Sequence, residues 1–107
     1  MSSHENWSQG SLGRRGRALV AHLVGVDTGR VESLSWSLGN RITVEADANQ
    51  RFRFVHRRSA RSVTAFDVTD ETCVLRLRTP VGREKFYGVA KADLVTRPER
   101  DDWTRAV

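Results

Sequence analysis

Apolar and polar residues alternate almost without a break from Val31 to Arg58. Leu34, Trp36 and Leu38 are separated by Ser33, Ser35 and Ser37, and Ile42, Val44, Ala46 and Ala48 alternate with Thr43, Glu45 and Asp47. Phe52 and Phe54 then alternate with Arg51 and Arg53, and the run closes on His56, Arg57 and Arg58. A period of two predicts strands with one buried and one wet face. Further candidates recur at intervals of about ten residues, separated by turn residues. The predicted strands are 18–26, 31–38, 42–48, 51–57, 62–68, 73–79 and 85–90. Turns are read at Asp27-Thr28-Gly29, Gly39-Asn40, Asn49-Gln50, Ser59-Ala60, Asp70-Glu71 and Pro80-Val81-Gly82. Connections this short join antiparallel neighbours, because a parallel crossover needs about a dozen residues or more.

The expected fold is therefore a single all-β domain. About seven short strands in an antiparallel meander should close into a small barrel or sandwich that hides its edges. Three units follow: a flexible basic arm over 1–17, a β-barrel-like domain over 18–95, and a short C-terminal helix or tail over 96–107. The helix is expected from about 97 to 105, since Thr96 and Glu99 have capping-box spacing and Pro98 suits a first turn. It is too short to stand alone, so Trp103 should pack it onto the domain. Residues 14–25 also fit a helical stripe through Leu19, Val20, Leu23 and Val24; Gly25, Val26 and the β-branched neighbours favour strand.

The chain has 107 residues, room for one domain with a modest core. Its formal charge is +5, from 18 basic and 13 acidic side chains, and all the basic ones except Lys85 and Lys91 are arginine. A GC-rich genome would favour arginine codons whatever the function, yet arginine still suits phosphates and carboxylates through planar, bidentate contacts. Residues 1–60 hold 9 basic and 5 acidic residues, against 9 and 8 in 61–107. Cys73 is the single cysteine, which favours a reducing compartment, and cytoplasmic residence is expected. Arg14-Arg15 ahead of the apolar run from Ala18 to Val26 resembles an export signal, but Asp27 follows where small residues would be cleaved. That run is too short to span a membrane, and no membrane partner is expected.

Phosphate recognition has the best candidate residues. Alternation puts Arg51, Arg53 and Arg57 on one strand face, roughly 6–7 Å apart, close to the phosphate spacing of a nucleic-acid strand. Arg58 and Arg61 extend the patch into the next turn, and Arg14, Arg15 and Arg17 supply a second anchor from the arm. The competing reading is a solvated face whose arginines pair with Glu45, Asp47 or Asp67. Phe52 and Phe54 fall on the opposite face, toward the core, so base stacking has little basis and backbone contact is the better version. Phe54-Val55-His56 resembles the second nucleic-acid-binding strand of cold-shock domains, but the partner glycine–aromatic run is missing. Residues 15–22 line up loosely with the first ribonucleoprotein motif of RNA-recognition domains, with Arg17, Leu19 and His22 where that motif stacks bases. Neither family is assigned.

No catalytic motif, metal site or cofactor is predicted. His4, His22, His56 and Cys73 lack ligand spacing, with His22 read as a partly buried strand residue and His56 as a core-edge one. Cys73 alternates in phase with Leu75 and Leu77, which places its thiol inside. The expected function is non-enzymatic binding of nucleic-acid phosphates. The alternative is a structural or protein-interaction subunit of a larger assembly, docking through the arm and a sheet edge. Oligomeric state is not read from the sequence.

Overall fold

The computed structural model describes residues 15–45, 50–94, 99–100 and 103–106. Residues 15–24 form a helix, α1, where a strand over 18–26 was expected. Gly16, Val20, Leu23 and Val24 recur at helical spacing and are buried. Gly25 stops the helix in the left-handed conformation at φ 75°, and the Val26 N–H donates to the Ala21 carbonyl at 3.0 Å. That pairing is a Schellman close, so the two residues read as strand markers are the helix stop and its capping donor. Residues 15–17, expected in the arm, belong to α1; residues 1–14 lie outside the described part. His22 is exposed on this helix instead of half-buried in a strand.

The strand expected over 31–38 survives only as β1, Glu32–Leu34. Helix α2 follows over Trp36–Glu45, through the predicted Gly39-Asn40 turn and into the strand predicted over 42–48. Ser35 begins it, with Oγ accepting the Leu38 N–H at 3.2 Å and the carbonyl accepting the Gly39 N–H at 3.0 Å. A serine three residues before the bonded N–H is an N-cap, so the alternating serines misled because one of them is a helix start. The inner side of α2 carries Gly39 and Thr43, while Trp36, Leu38 and Val44 are exposed.

The remaining strands are β2 Gln50–His56, β3 Ser62–Asp67, β4 Thr72–Arg78, β5 Glu84–Ala90, β6 Glu99–Arg100 and β7 Trp103–Ala106. Antiparallel sheet dominates, as expected. The strands lie in the order β1-β5-β4-β3-β2-β7-β6, and every neighbour pair is antiparallel. The sheet is open, with β1 and β6 at its edges, and is not the expected barrel or sandwich. The reason is that a helix covers each face. On one face Val20, Leu23 and Val24 of α1 pack among Phe52, Phe54 and Val63 in the main core cluster. On the other, α2 lies over β4 and β5.

The helix expected from 97 to 105 is replaced by β6 and β7. Thr96 and Pro98, which suggested it, lie outside the described residues. β7 pairs with β2 from Arg53↔Ala106 to His56↔Trp103, satisfying an edge that would otherwise present bare backbone groups. Trp103 does pack into the core, at 4% exposure. Among the described residues no helix is long and apolar enough to cross a membrane.

Gly39 seats α2 on the sheet. A Cβ there would overlap the fully buried side chain of Phe86 at its Cβ and Cγ. Gly39→Ala should therefore lower stability by about 1–3 kcal/mol through overpacking, although alanine is favoured over glycine in a helix by about 1 kcal/mol. Urea unfolding checks this, and a neutral or stabilising result would mean that α2 does not rest on Phe86.

Candidate functional site at the basic end of the sheet

Two hairpin turns share one end of the sheet, because Ser62 at the start of β3 pairs with Arg78 at the end of β4. The β2–β3 turn is closed by the Ala60 N–H on the His56 carbonyl at 3.0 Å and the His56 N–H on the Arg61 carbonyl at 2.8 Å. His56 Nδ1 accepts the Ser59 N–H at 3.1 Å, and the ring stands edge-on to Trp103 at 5.0 Å, so this core-edge histidine braces the turn. In the β4–β5 turn the Gly82 N–H donates to the Thr79 carbonyl at 3.0 Å, with Pro80 at the second position. Gly82 then takes φ 87°, which only glycine adopts readily. The N-terminal part of α1 reaches the same end, where Gly16 lies against Tyr87 and Leu77.

Between α1 and the two hairpins lies a cavity of about 280 Å³. Gly16, Leu19 and Leu77 make its apolar floor, and Arg15, Arg61, Arg83 and Lys85 line it with Thr79. Among the described residues no carboxylate lines it. Arg61 is held in place: its Nε donates to Ser59 Oγ at 3.0 Å, and its guanidinium lies 5.8 Å from the Trp103 ring centre. Arg15, Arg83 and Lys85 form no ion pair among the described residues. Glu84 lies at this end too, but on the opposite face. It accepts from Arg78 at 2.9 and 2.6 Å and from the Trp36 indole at 3.3 Å.

The other end of the sheet has the reverse balance. Asp67, Asp70 and Glu71 surround the β3–β4 turn, and the cations there are matched. Arg51 and Lys91 reach Asp67 at 3.4 and 3.5 Å, and Arg30 reaches Asp93 at 3.5 Å. Four cations without a carboxylate partner among the described residues, Arg15, Arg61, Arg83 and Lys85, thus lie together at one end.

The eight arginines singled out from sequence do not share one face. A register shift between Gln50 and Phe52 breaks the alternation at Arg51, whose guanidinium turns to Asp67 at the acidic end. Pairing with Asp67 is the outcome the competing reading foresaw for that residue. Arg53 is exposed in mid-strand, on the face opposite Phe52 and Phe54, and has no hydrogen bond or ion pair among the described residues. Arg57 and Arg58 are exposed in the β2–β3 turn, where Arg57 Nε donates to Thr104 Oγ1 at 2.9 Å. Arg61 and Arg15 line the cavity. Arg17 is half-buried on α1, and Arg14 lies outside the described residues. Sequence reasoning missed Arg83 and Lys85. The signal was present: in a meander, alternate turns fall at the same end, so the 57–61 and 79–83 turns belong together. Comparison with family models, curated proteins and solved structures finds no match to this chain.

The buried nucleophiles are held in their neutral forms. Burial, and then Asp67, push the Cys73 thiol from its usual 9.0 up to about 11. Burial pushes Tyr87 from 10.0 up to about 12, opposed by Arg17. Folding favours the protonated state of both groups, so their stabilisation is complete below the unfolded-state values and is lost as pH rises. For the thiol the loss runs between 9.0 and about 11, and the shift is worth roughly 2–3 kcal/mol. Urea midpoints should fall across that window, and Cys73→Ala should fall less steeply than the parent. Equal slopes would mean that the thiol does not titrate in the folded core.

Proposed function

We propose that this chain is a non-enzymatic binding module that holds nucleic-acid phosphates at the basic end of its sheet. What carries the reading is the set of four cations around the cavity, none of which forms an ion pair among the described residues. Arg57 and Arg58 continue that charge over the adjoining turn. Arginine forks suit phosphate oxygens bidentately, and Arg15, Arg83 and Lys85, with no carboxylate partner among the described residues, keep their charge available to a ligand. Contacts of this kind position a backbone without reading bases, so affinity should depend on salt and hardly on sequence. Arg53 is an auxiliary contact, and Arg51 is not a contact.

Fluorescence anisotropy with labelled duplex and single-stranded oligonucleotides tests the reading. Binding should appear at low salt and weaken steeply as salt rises. The double variant Arg57→Ser/Arg83→Ser should lower the salt slope by about 2, at about 0.9 per lost phosphate contact in a duplex, whereas Arg51→Ser should bind as the parent does. Absence of binding to either oligonucleotide at low salt would sink the reading.

A second reading, docking in a protein assembly, is supported by the outer side of α2, where Trp36 is 54% and Val44 68% exposed. Light scattering of the pure protein, with and without Trp36→Ser, reports whether that surface joins copies of the chain.

A further inference from the structure

A surface that only tracks a phosphate backbone needs charge but no depth, and the basic end has depth. The cavity between α1 and the hairpins is floored by Gly16, Leu19 and Leu77. The floor depends on glycine at position 16: a Cβ there would run into the Tyr87 hydroxyl and crowd Leu77 Cδ2. Glycine lets the α1 backbone settle onto the sheet, and the space beyond it is what Arg15, Arg61, Arg83 and Lys85 surround. An apolar floor gives a bare hydrated anion nothing to bind beyond the cations. It rewards a ligand whose body can displace water from Leu19 and Leu77.

We propose that this cavity binds a phosphate monoester carried on a compact ring system, with a nucleoside monophosphate as the representative ligand. The inference rests on the reading of the basic end as a phosphate-binding surface and names the unit that enters it. At about 280 Å³ the cavity is near the lower limit of small-molecule sites and opens to solvent, so it takes the phosphate and part of the ring system while the rest stays outside. The charge fits as well. Among the described residues no carboxylate has to be displaced from Arg15, Arg83 or Lys85 for a dianionic phosphate to meet them. Arg61 is already oriented by Ser59 and Trp103, so its part of the site needs little ordering when the ligand arrives. The ring body lies on Leu19 and Leu77. Free nucleotides and the phosphorylated end of a strand both present this chemistry.

Isothermal titration of the full chain at low salt, with inorganic phosphate, adenosine and adenosine monophosphate, tests the proposal. The monophosphate should bind at least about tenfold more tightly than either part alone, since charge and apolar contact act together. Leu19→Trp, which fills the cavity, should abolish that preference, and any gain from a 5′-phosphate on a strand, while 5′-hydroxyl oligonucleotides still bind in a salt-dependent way. Arg83→Ser, in an exposed turn, should weaken the monophosphate by about tenfold and serves if Leu19→Trp does not fold. A strand with a 5′-phosphate that binds much more tightly than its 5′-hydroxyl form identifies strand ends as the source. A gain confined to the monophosphate identifies free nucleotide; both outcomes support the site. A monophosphate that binds no better than phosphate, or that is indifferent to Arg83→Ser or to a folded Leu19→Trp, overturns the proposal. In that case retained oligonucleotide binding leaves the surface reading standing, whereas monophosphate binding without oligonucleotide binding does the opposite.

Discussion

The fold depends on burying both faces of strand β3. Every residue from Ser62 to Phe66 is buried, so the centre of the sheet has no wet side. Val63 and Ala65 face α1 in the main cluster, and on the other face the Arg76 guanidinium lies 5.1 Å from the Phe66 ring centre, with α2 over the neighbouring strands. Such a sheet needs a cover on each side: α1 supplies one, and α2 covers β4 and β5 on the other. With both faces covered, closure into a barrel would gain only the edges. Those are already blunted, since β1 spans three residues and β6 two.

Glycine sets the closeness of both covers. Gly39 brings α2 onto Phe86, and Gly16 brings α1 onto Tyr87 and Leu77. The second of these contacts also shapes the cavity, so the residue that seats a helix determines how deep the candidate site is. Tyr87 Oη and Arg17 Nε are buried in this region without hydrogen-bond partners among the described residues.

The meander from β2 to β5 was legible because it is governed by local rules. Phe52 and Phe54 alternate inward as read, Cys73 joins Leu75 and Leu77 in the core, and Pro80-Val81-Gly82 makes the predicted turn. The helices were not legible, because their signals imitate other elements. Ser35 is one of three alternating serines and caps a helix; Gly39 looks like a turn and is a packing site; Gly25 is read with a strand and is a helix stop. The C-terminal segment was misread for a different reason. Capping spacing is a local preference, whereas the free edge of β2 is a tertiary demand, and pairing from His56 to Arg53 satisfied it. The site was half legible for the same cause: Arg57, Arg58 and Arg61 lie within one turn, but joining them to Arg15, Arg83 and Lys85 requires the sheet order and the helix.

Arginine abundance and arginine placement are separate quantities. Codon bias can fix how many of the 16 arginines the chain carries, but it does not decide which of them meet carboxylates. At one end Arg30, Arg51 and Lys91 are matched by Asp93 and Asp67. At the other, Arg15, Arg83 and Lys85 surround one cavity without an ion pair among the described residues, and the nearby Glu84 is engaged on the opposite face. Like charges held together in this way repel, and at about 0.1 M salt the repulsion is screened only beyond roughly 10 Å. Moving one acidic residue from the β3–β4 turn to the β4–β5 turn would ease that repulsion without changing the composition. The asymmetry therefore sits where an anionic ligand would relieve it, over an apolar floor that a hydrated counter-ion does not use.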